Sequence, residues 1–187
     1  MESAGLAAAE VREGRVAVLH PFRGTSPKIH GSVFVADGAQ IIGDVEIARD
    51  SSVWFNAVIR GDVNIIRIGE RTNIQDNCSL HVTHERYALL IGSNVTIGHG
   101  AVVHGSTIRD HCLIGMGATV LDNTTIGPYT LVAAGSLLLE NFVAPEGTLV
   151  AGVPATVRRE LTVQERQSLD QAAENYVRYV AQYRENR

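Results

Sequence analysis

The 187-residue sequence is poor in aromatic residues and in cysteine, and it has no excess of basic residues. Aromatic side chains make up 5% of the chain, which favours a core of small aliphatic residues. Cys78 and Cys112 are too few for a disulfide framework and fit a reducing compartment. The formal net charge of -4 provides no basic stripe for phosphates, so we expect no nucleic-acid partner.

Long apolar runs are also missing from the chain. None approaches the roughly 20 residues that a membrane-spanning helix needs, so we expect no membrane insertion. The beginning of the sequence lacks the basic start and the apolar core of a signal peptide. These features predict a cytoplasmic protein.

Branched aliphatic residues, by contrast, recur at every sixth position along most of the chain. Neither a strand, with period two, nor a helix, with a period of about 3.6, produces such spacing. A hexapeptide β-helix does, because each hexapeptide forms one short strand and a corner, and three hexapeptides make a triangular coil. The series consists of Ile29, Val35, Ile41, Ile47, Val53, Ile59 and Ile65, then, after a phase shift, Ile68, Ile74, Leu80, Ile91, Ile97, Val103, Ile108, Ile114, Val120, Ile126, Val132 and Leu138.

The pattern divides the chain into four parts. We predict an N-terminal segment at 1–28 and a β-helix domain with the functional site at 29–144. A crossing segment with prolines and glycines follows at 145–160. The last part, 161–187, is predicted to be an α-helix.

Two features of the last segment predict this helix. Thr162 and Glu165 have the spacing of a capping box, in which each residue satisfies a free N–H group of the first turn. Apolar residues then recur at spacings of four and three, which gives the helix one apolar face. That face consists of Leu169, Ala173, Tyr176, Val180 and Tyr183.

The clearest interruption of the repeat lies between Leu80 and Ile91. They are eleven positions apart, one repeat plus five, so residues 83–88 are predicted to leave the coil as a loop. With the loop removed, His81 and His104 occupy equivalent outward positions on coils about 4.8 Å apart. Two imidazoles so placed can bind one metal ion.

His99 lies around a corner of the predicted prism from this pair. It could reach the equivalent pair on an adjacent subunit, and three subunits about a threefold axis would complete three sites. Three imidazoles with one open position match a catalytic zinc site better than a structural one. The alternative is that these histidines only decorate the surface, and that interpretation is favoured for His20, His30 and His111.

Three stretches of sequence resemble the gamma-class carbonic anhydrase family of trimeric left-handed β-helices. They are VIRGDVNIIRIGERTNIQDNCSLHV, IGHGAVVHG and LIGMGA. The resemblance extends from about Ile29 through the C-terminal helix. Its most specific parts are RGD at 60–62, NIQD at 73–76 and the histidine set.

The resemblance implies a metal site shared between subunits of a homotrimer. His81 and His104 would come from one subunit and His99 from its neighbour, with Zn²⁺ as the usual metal and Fe²⁺ or Co²⁺ as alternatives. A metal-bound hydroxide would convert CO2 to bicarbonate.

The resemblance also assigns roles around the metal. Gln75 would orient the solvent or the substrate, with Asn73 nearby, and both are placed among the catalytic residues. Met116 matches a pocket position, and we place Tyr176 in the same pocket.

A charged trio is expected at the subunit boundary. Arg60, Asp62 and Asp76 would form charge-assisted contacts there. A purely structural role for them stays as open as a catalytic role for Arg60 and Asp62.

The sequence departs from the family pattern in its acidic groups. Val63 stands where the family has an acidic candidate for proton transfer, and the acidic loop is shortened. His84 and Glu85 are the substitutes in that loop, and His84 could equally be a solvent-exposed residue without a role. Three alternatives to CO2 hydration stay open, namely a metal-dependent acyl-CoA thioesterase, a hexapeptide acyltransferase and a non-catalytic trimeric scaffold.

Overall fold

A computed structural model describes residues 18–185, in which short strands recur and one helix follows them. The strands build a parallel β-solenoid of about seven turns. The predicted fold class, a mainly β chain with a parallel β-helix of hexapeptide repeats and a C-terminal α-helix, is confirmed. The elements are β1 (Val18–His20), β2 (Lys28–Ile29), β3 (Phe34–Val35), β4 (Gln40–Ile47), β5 (Ser52–Val53), β6 (Val58–Ile68), β7 (Asn73–Ile74), β8 (Ser79–His81), β9 (Leu89–Ile91), β10 (Thr96–Ile97), β11 (Val102–His104), β12 (Thr107–Ile108), β13 (Leu113–Ile114), β14 (Thr119–Val120), β15 (Thr125–Ile126), β16 (Leu131–Val132), β17 (Leu137–Leu138), β18 (Val143–Ala144), β19 (Thr148–Gly152), β20 (Ala155–Glu160) and α1 (Val163–Glu185).

Strands of successive coils pair in parallel and form three faces. The first face continues from β6 through β8, β11, β14 and β17, and the second from β6 through β9, β12, β15 and β18. The third face contains β3, β5, β7, β10, β13, β16 and β19. This stacking puts residues of equivalent position in neighbouring coils side by side.

The aliphatic residues of the repeat fill the inside of the solenoid. Full burial of one such side chain contributes about 1.5–3 kcal/mol, so the stacked column is the main source of stability. Those with at most 1% exposure include Ile41, Ile59, Ile74, Leu80, Ile97, Val103, Ile108, Ile114, Ile126 and Leu138.

Ile65 is an exception, and its predicted inward orientation was wrong. It is 36% exposed, whereas the next residue, Ile66, is fully buried in the core. The reason is a shift in the pairing of β4 with β6, because Gly43 pairs with Gly61 and Val45 with Ile66. Residues 62–65 therefore leave the regular coil as a bulge.

The predicted capping box of α1 is confirmed. The backbone N–H of Thr162 donates to Glu165 Oε2 at 2.8 Å, and the N–H of Glu165 donates to Thr162 Oγ1 at 3.2 Å. Arg159 adds two hydrogen bonds to the same carboxylate. These contacts and the Arg159 charge lower the pKa of Glu165 to about 2.

The helix packs with its predicted face against the solenoid. Leu169, Ala173 and Val180 are buried on that face. Val180 joins a cluster with Phe34 and Trp54, which come from the beginning of the chain. The helix therefore ties the end of the chain to the first coils.

Residues 145–160, which we interpreted as a crossing segment, contain β19 and β20. Strand β19 adds to β16 in parallel, and β20 returns antiparallel to β19. Of the predicted terminal segments, 1–17 and 186–187 lie outside the described residues. Among residues 18–185 we find no helix with the length and hydrophobicity that a membrane crossing requires.

Candidate metal site

Two histidines meet on the first face of the solenoid. His81 ends β8, His104 ends β11, and the two are paired in register, as the repeat spacing predicts. Nδ1 of His81 lies 3.0 Å from Nε2 of His104. The stacking of coils thus brings two ring nitrogens from distant parts of the chain into direct contact.

Each of these rings contacts a carboxylate through its other nitrogen. His81 Nε2 lies 3.0 Å from Asp62 Oδ1, and His104 Nδ1 lies 2.5 Å from Asp122 Oδ1. A carboxylate accepts hydrogen bonds, so each contact places the ring hydrogen on the nitrogen that faces it. When both rings are neutral, the two nitrogens that face each other carry lone pairs.

Two facing lone pairs need a cation or a proton between them. In a tetrahedral zinc site with Zn–N bonds of about 2.05 Å, two nitrogen ligands are about 3.3 Å apart. The separation of 3.0 Å between His81 and His104 is close to that value. Imidazole nitrogen suits zinc and iron, so the residues present fit a divalent transition metal.

The pKa shifts of His81 and Asp62 agree with this use. Burial lowers the pKa of His81, and the nearby Arg60 charge lowers it further against the opposing effect of Asp62. Burial acts to raise the pKa of Asp62, but hydrogen bonds from Arg60 and His81 keep it below its ordinary value. The ring is therefore inclined to be neutral and the carboxylate charged, as a metal ligand and its support must be.

The third predicted ligand, His99, lies elsewhere on the solenoid. It follows β10, and its Nδ1 lies 2.6 Å from Oδ2 of Asp76. Within the described part of the chain, no carboxylate contacts the other ring nitrogen, Nε2. Among residues 18–185 no three histidine, cysteine, aspartate or glutamate side chains come together closely enough to hold a metal ion. One chain thus carries a histidine pair and a separate third histidine.

The predicted amide residues lie with His99 and not with the histidine pair. Gln75 Nε2 donates to Asn73 Oδ1 at 3.0 Å, and Gln75 Oε1 accepts from the backbone N–H of His99 at 3.1 Å. Asn73 Nδ2 in turn donates to Thr96 Oγ1 at 2.9 Å. These bonds hold the Gln75 amide in one orientation beside His99.

An apolar cavity of about 350 Å³ opens next to His99. Met116 lines it together with Gln75, Gly98 and Gly115. Tyr176 is not among the residues that line it. Instead, Tyr176 packs edge-on against Trp54 under α1, with ring centroids 5.2 Å apart. Burial, with a contribution from the Asp76 charge, raises the pKa of Tyr176 to about 12.

The charged trio is divided between the two places. Arg60 donates to Asp62 Oδ2 at 2.6 Å beside the histidine pair. Asp76 instead contacts His99, and its Oδ1 accepts from the backbone N–H of Phe55 at 3.2 Å. Within one chain, Arg60 and Asp76 therefore serve different histidines.

The loop after His81 is short and closed by a bridge between Thr83 and Tyr87. The side chains of His84 and Glu85 at its tip are 63% and 84% exposed, and their nearest charged atoms are 3.9 Å apart. Both residues are accessible to solvent. A proton acceptor at this tip could exchange protons with bulk water directly.

Sequence reasoning missed Asp122, whose 2.5 Å contact with His104 is shorter than the 3.0 Å contact of Asp62 with His81. Asp122 lies eighteen residues after His104, the length of three full hexapeptides. The coil between β11 and β14 is one residue shorter than that, because Val103 pairs with Val120. Asp122 therefore follows the position in register with His104, and the repeat alone does not place it beside the ring.

Comparisons with known proteins agree with this architecture. The family model described as bacterial transferase hexapeptide (six repeats) matches residues 105–139. The chain is 56% identical over 150 residues to the "Probable carbonic anhydrase" of Methanocaldococcus jannaschii, covering 80% of this chain and 94% of that protein.

Two further relatives show the range of proteins with this fold. The chain is 46% identical over 157 residues to "Gamma carbonic anhydrase 2, mitochondrial" of Arabidopsis thaliana, covering 81% of this chain but only 56% of that longer protein. A solved structure of a hexapeptide transferase family protein from Anaplasma phagocytophilum has a TM-score of 0.85 and 40% identity. The alignment covers 89% of this chain and 98% of the Anaplasma phagocytophilum chain.

Proposed function

The chain belongs to the gamma-class carbonic anhydrase family, and we propose that it catalyses the reversible hydration of CO2 to bicarbonate. The observation that carries this proposal is the pair formed by His81 and His104, with facing nitrogens 3.0 Å apart. Each ring has its own carboxylate, so both rings are oriented to share one metal ion.

We propose that His99 of a neighbouring subunit completes the ligand set. Within one chain His99 lies around a corner from the pair, and Asp76 contacts its Nδ1 and not its Nε2. A closed ring of three subunits would bring each His99 to the pair of the next subunit without leaving an open contact. Three imidazoles then leave one position free for solvent, the arrangement of catalytic rather than structural zinc.

A divalent metal held by these histidines would lower the pKa of bound water from about 15.7 to about 7, and it would thereby supply a nucleophile for CO2 at neutral pH. Asp62 and Asp122 hold the two imidazoles in the tautomers that binding requires. Arg60 holds Asp62 in turn. Zn²⁺ is the proposed metal, with Fe²⁺ and Co²⁺ as alternatives.

Gln75 is the proposed orienting group for the substrate. Its amide uses one N–H on Asn73 and one lone pair on the backbone of His99. One N–H and one lone pair of the same amide are left for a small polar ligand. Gln75 would thus arrive at the shared site together with His99 from the neighbouring subunit.

Hydration of CO2 to bicarbonate releases one proton, which must reach the solvent. Val63 cannot accept it, so we propose that His84 does, with Glu85 beside it. A neutral imidazole can accept a proton on its free ring nitrogen and pass it on to water or buffer. Its exposure at the loop tip supports transfer to buffer.

The decisive experiment is stopped-flow CO2 hydration on protein loaded anaerobically with Zn²⁺ or Fe²⁺, together with its metal content. We expect about one metal per subunit and activity that His104→Ala abolishes. His111→Ala is the control, because His111 contacts Asp170 far from the pair. Metal-free wild-type protein, or equal activity in wild type and His104→Ala, would contradict the proposal.

A second candidate is acyl transfer or acyl-thioester hydrolysis. It is supported by the hexapeptide transferase family match and by the apolar cavity beside His99. Acetyl-CoA turnover that persists in His104→Ala would favour a metal-independent acyltransferase, and acyl-CoA hydrolysis lost in that variant would favour a thioesterase. Loss of trimer stability on chelation, without any turnover, would favour a scaffold.

The cytoplasmic location and the lack of a nucleic-acid partner stay predictions.

A further inference from the structure

Asp122 connects the histidine pair to the loop that follows His81. We propose that Asp122 is a positioning residue for His104, and that Thr83 holds Asp122 in place so that this loop tunes metal affinity. The inference rests on the proposed metal site, but it concerns residues that neither the repeat nor the family motifs single out.

The two oxygens of Asp122 have different partners. Oδ1 is 2.5 Å from His104 Nδ1, and Oδ2 accepts from Thr83 Oγ1 at 2.6 Å. The carboxylate is one-fifth exposed, so these contacts are largely shielded from water. With both oxygens engaged, the carboxylate plane is fixed, and the hydrogen of the His104 ring is kept on Nδ1. Nε2 is thereby left to face His81.

Gly105 makes this close approach feasible. It has a φ of +42°, and a Cβ on it would lie 2.3 Å from Asp122 Oδ1 and 2.9 Å from Tyr87 Cβ. Its backbone N–H donates to the carbonyl of His81 at 3.0 Å. A glycine directly after His104 therefore gives the carboxylate the space that it needs beside the ring.

Thr83 is itself fixed by both of its backbone groups. Its N–H donates to the carbonyl of Tyr87 at 3.1 Å, and its carbonyl accepts from Asn64 Nδ2 at 3.1 Å. Asn64 lies in the bulge of residues 62–65, which also carries Asp62, the support of His81. One continuous set of hydrogen bonds thus connects the bulge that carries Asp62 with Asp122.

The test measures metal affinity by competition of Zn²⁺ and Co²⁺ with a chromophoric chelator. Loss of an outer hydrogen-bond partner of a ligating histidine lowers metal affinity about 10- to 100-fold, and we expect this for Asp122→Ala. Asp122→Asn preserves the shape of the side chain and one acceptor oxygen, so it should lose less metal affinity than Asp122→Ala. Thr83→Val removes the hydroxyl that donates to Asp122 and should also weaken metal binding. Thr83→Ser keeps the hydroxyl and should bind metal like wild type.

A matched control exists at another histidine, outside the site. Asp170 Oδ1 lies 2.6 Å from His111 Nδ1, the same type of contact outside the site. Asp170→Ala should leave metal affinity within about twofold of wild type, well below the loss expected for the positioning carboxylate. An equal loss in Asp170→Ala and Asp122→Ala would overturn the proposal, because the effect would then be general.

A second readout needs neither metal nor activity. Nitrogen-15 NMR of the metal-free protein reports which nitrogen of His104 carries the hydrogen. We expect Nδ1–H in wild type and a shift toward Nε2–H in Asp122→Ala. An unchanged tautomer, or unchanged affinity in that variant, would overturn the role of Asp122. Wild type that binds metal without hydrating CO2 would instead refute only the proposed reaction.

Discussion

His104 lies directly beside His81 on the next coil, and the nitrogens of the two rings that face each other are 3.0 Å apart. The distance follows from the spacing of stacked strands, because residues in register on neighbouring coils are always close. The fold itself therefore supplies two of the proposed ligands without any special loop. The proposed third ligand, His99 of another subunit, would make assembly a condition of the proposed activity.

The proposed sharing of the site between subunits predicts that two inactive variants complement each other. His99→Ala and His104→Ala should each be inactive alone. A random mixture of their subunits should regain activity at about a quarter of the sites, those where an intact pair meets an intact His99. The measurement is CO2 hydration after the two proteins are unfolded together and refolded.

Mixing the folded proteins without unfolding is the control for this experiment, since subunits that do not exchange cannot complement. Recovery of no activity after joint refolding into trimers would show that all ligands come from one subunit.

The bulge in β6 predicts very different effects at two adjacent isoleucines. Ile66→Ala removes a fully buried side chain and should cost about 2–5 kcal/mol of unfolding free energy. Ile65→Ala removes a side chain that is 36% exposed and should cost less than about 1 kcal/mol. Chemical denaturation of both variants checks this. The opposite order would mean that the regular six-residue phase continues through the bulge.

Replacing Gly105 should be more destabilising than replacing a glycine that also has a positive φ but has no atoms close to an added Cβ. Gly117 has a φ of +66° and nothing within 4 Å of an added Cβ. Gly117→Ala should therefore lower the unfolding free energy only by the cost of placing an alanine in the left-handed conformation, about 1–2 kcal/mol. In Gly105→Ala the new Cβ would also overlap with Asp122 and Tyr87, so this variant should lower the stability of the protein further. It should also weaken Zn²⁺ binding, which Gly117→Ala should not. Equal thermal midpoints for both variants would contradict this.

The capping box makes part of the stability depend on pH. Glu165 has a pKa of about 2 in the folded protein against 4.5 as its ordinary value, mainly because of the Arg159 hydrogen bonds. Its contribution is therefore fully present above pH 4.5 and is lost as the pH falls toward 2. Thermal midpoints of wild type and Glu165→Gln should converge over this range. A constant difference would show that the charge of Glu165 is unimportant.

Proton release should depend on the loop and on buffer. With Val63 in place of an acid, His84→Ala should lower the kcat of CO2 hydration several-fold at low buffer concentration and leave kcat/KM nearly unchanged. Imidazole buffer should restore kcat by accepting the proton itself. His30→Ala serves as the comparison, since His30 is another exposed histidine outside the site. Identical buffer dependence in wild type and His84→Ala would exclude His84.

The repeat was sufficient to predict the fold and the register of the histidine pair. Both depend on spacing along the chain, since a coil of three hexapeptides returns to the same face after eighteen residues. The loop at 83–88 could be subtracted because Leu80 and Ile91 mark its two ends. The sequence therefore determined which histidines of one chain are adjacent.

Other features depend on contacts that spacing does not reveal. The bulge at 62–65 results from how β6 pairs with β4, so the phase of Ile65 and Ile66 could not be decided from the sequence. Tyr176 has the same apolar spacing whether it lines a cavity or packs on Trp54. The contact of Asp122 with His104 could not be read from the repeat either, because Val103 pairs with Val120 and Asp122 therefore follows the position in register with His104.

The reversed direction of β20 has a consequence for how the molecule ends. A parallel solenoid can in principle grow by adding coils, and two such molecules could join end to end into fibres. At this end the outermost strand runs antiparallel to β19, and five of its six residues are exposed, three of them charged. Arg159 is further engaged by Glu165 of α1. Backbone polarity and charge thus oppose polymerisation at this edge of the third face.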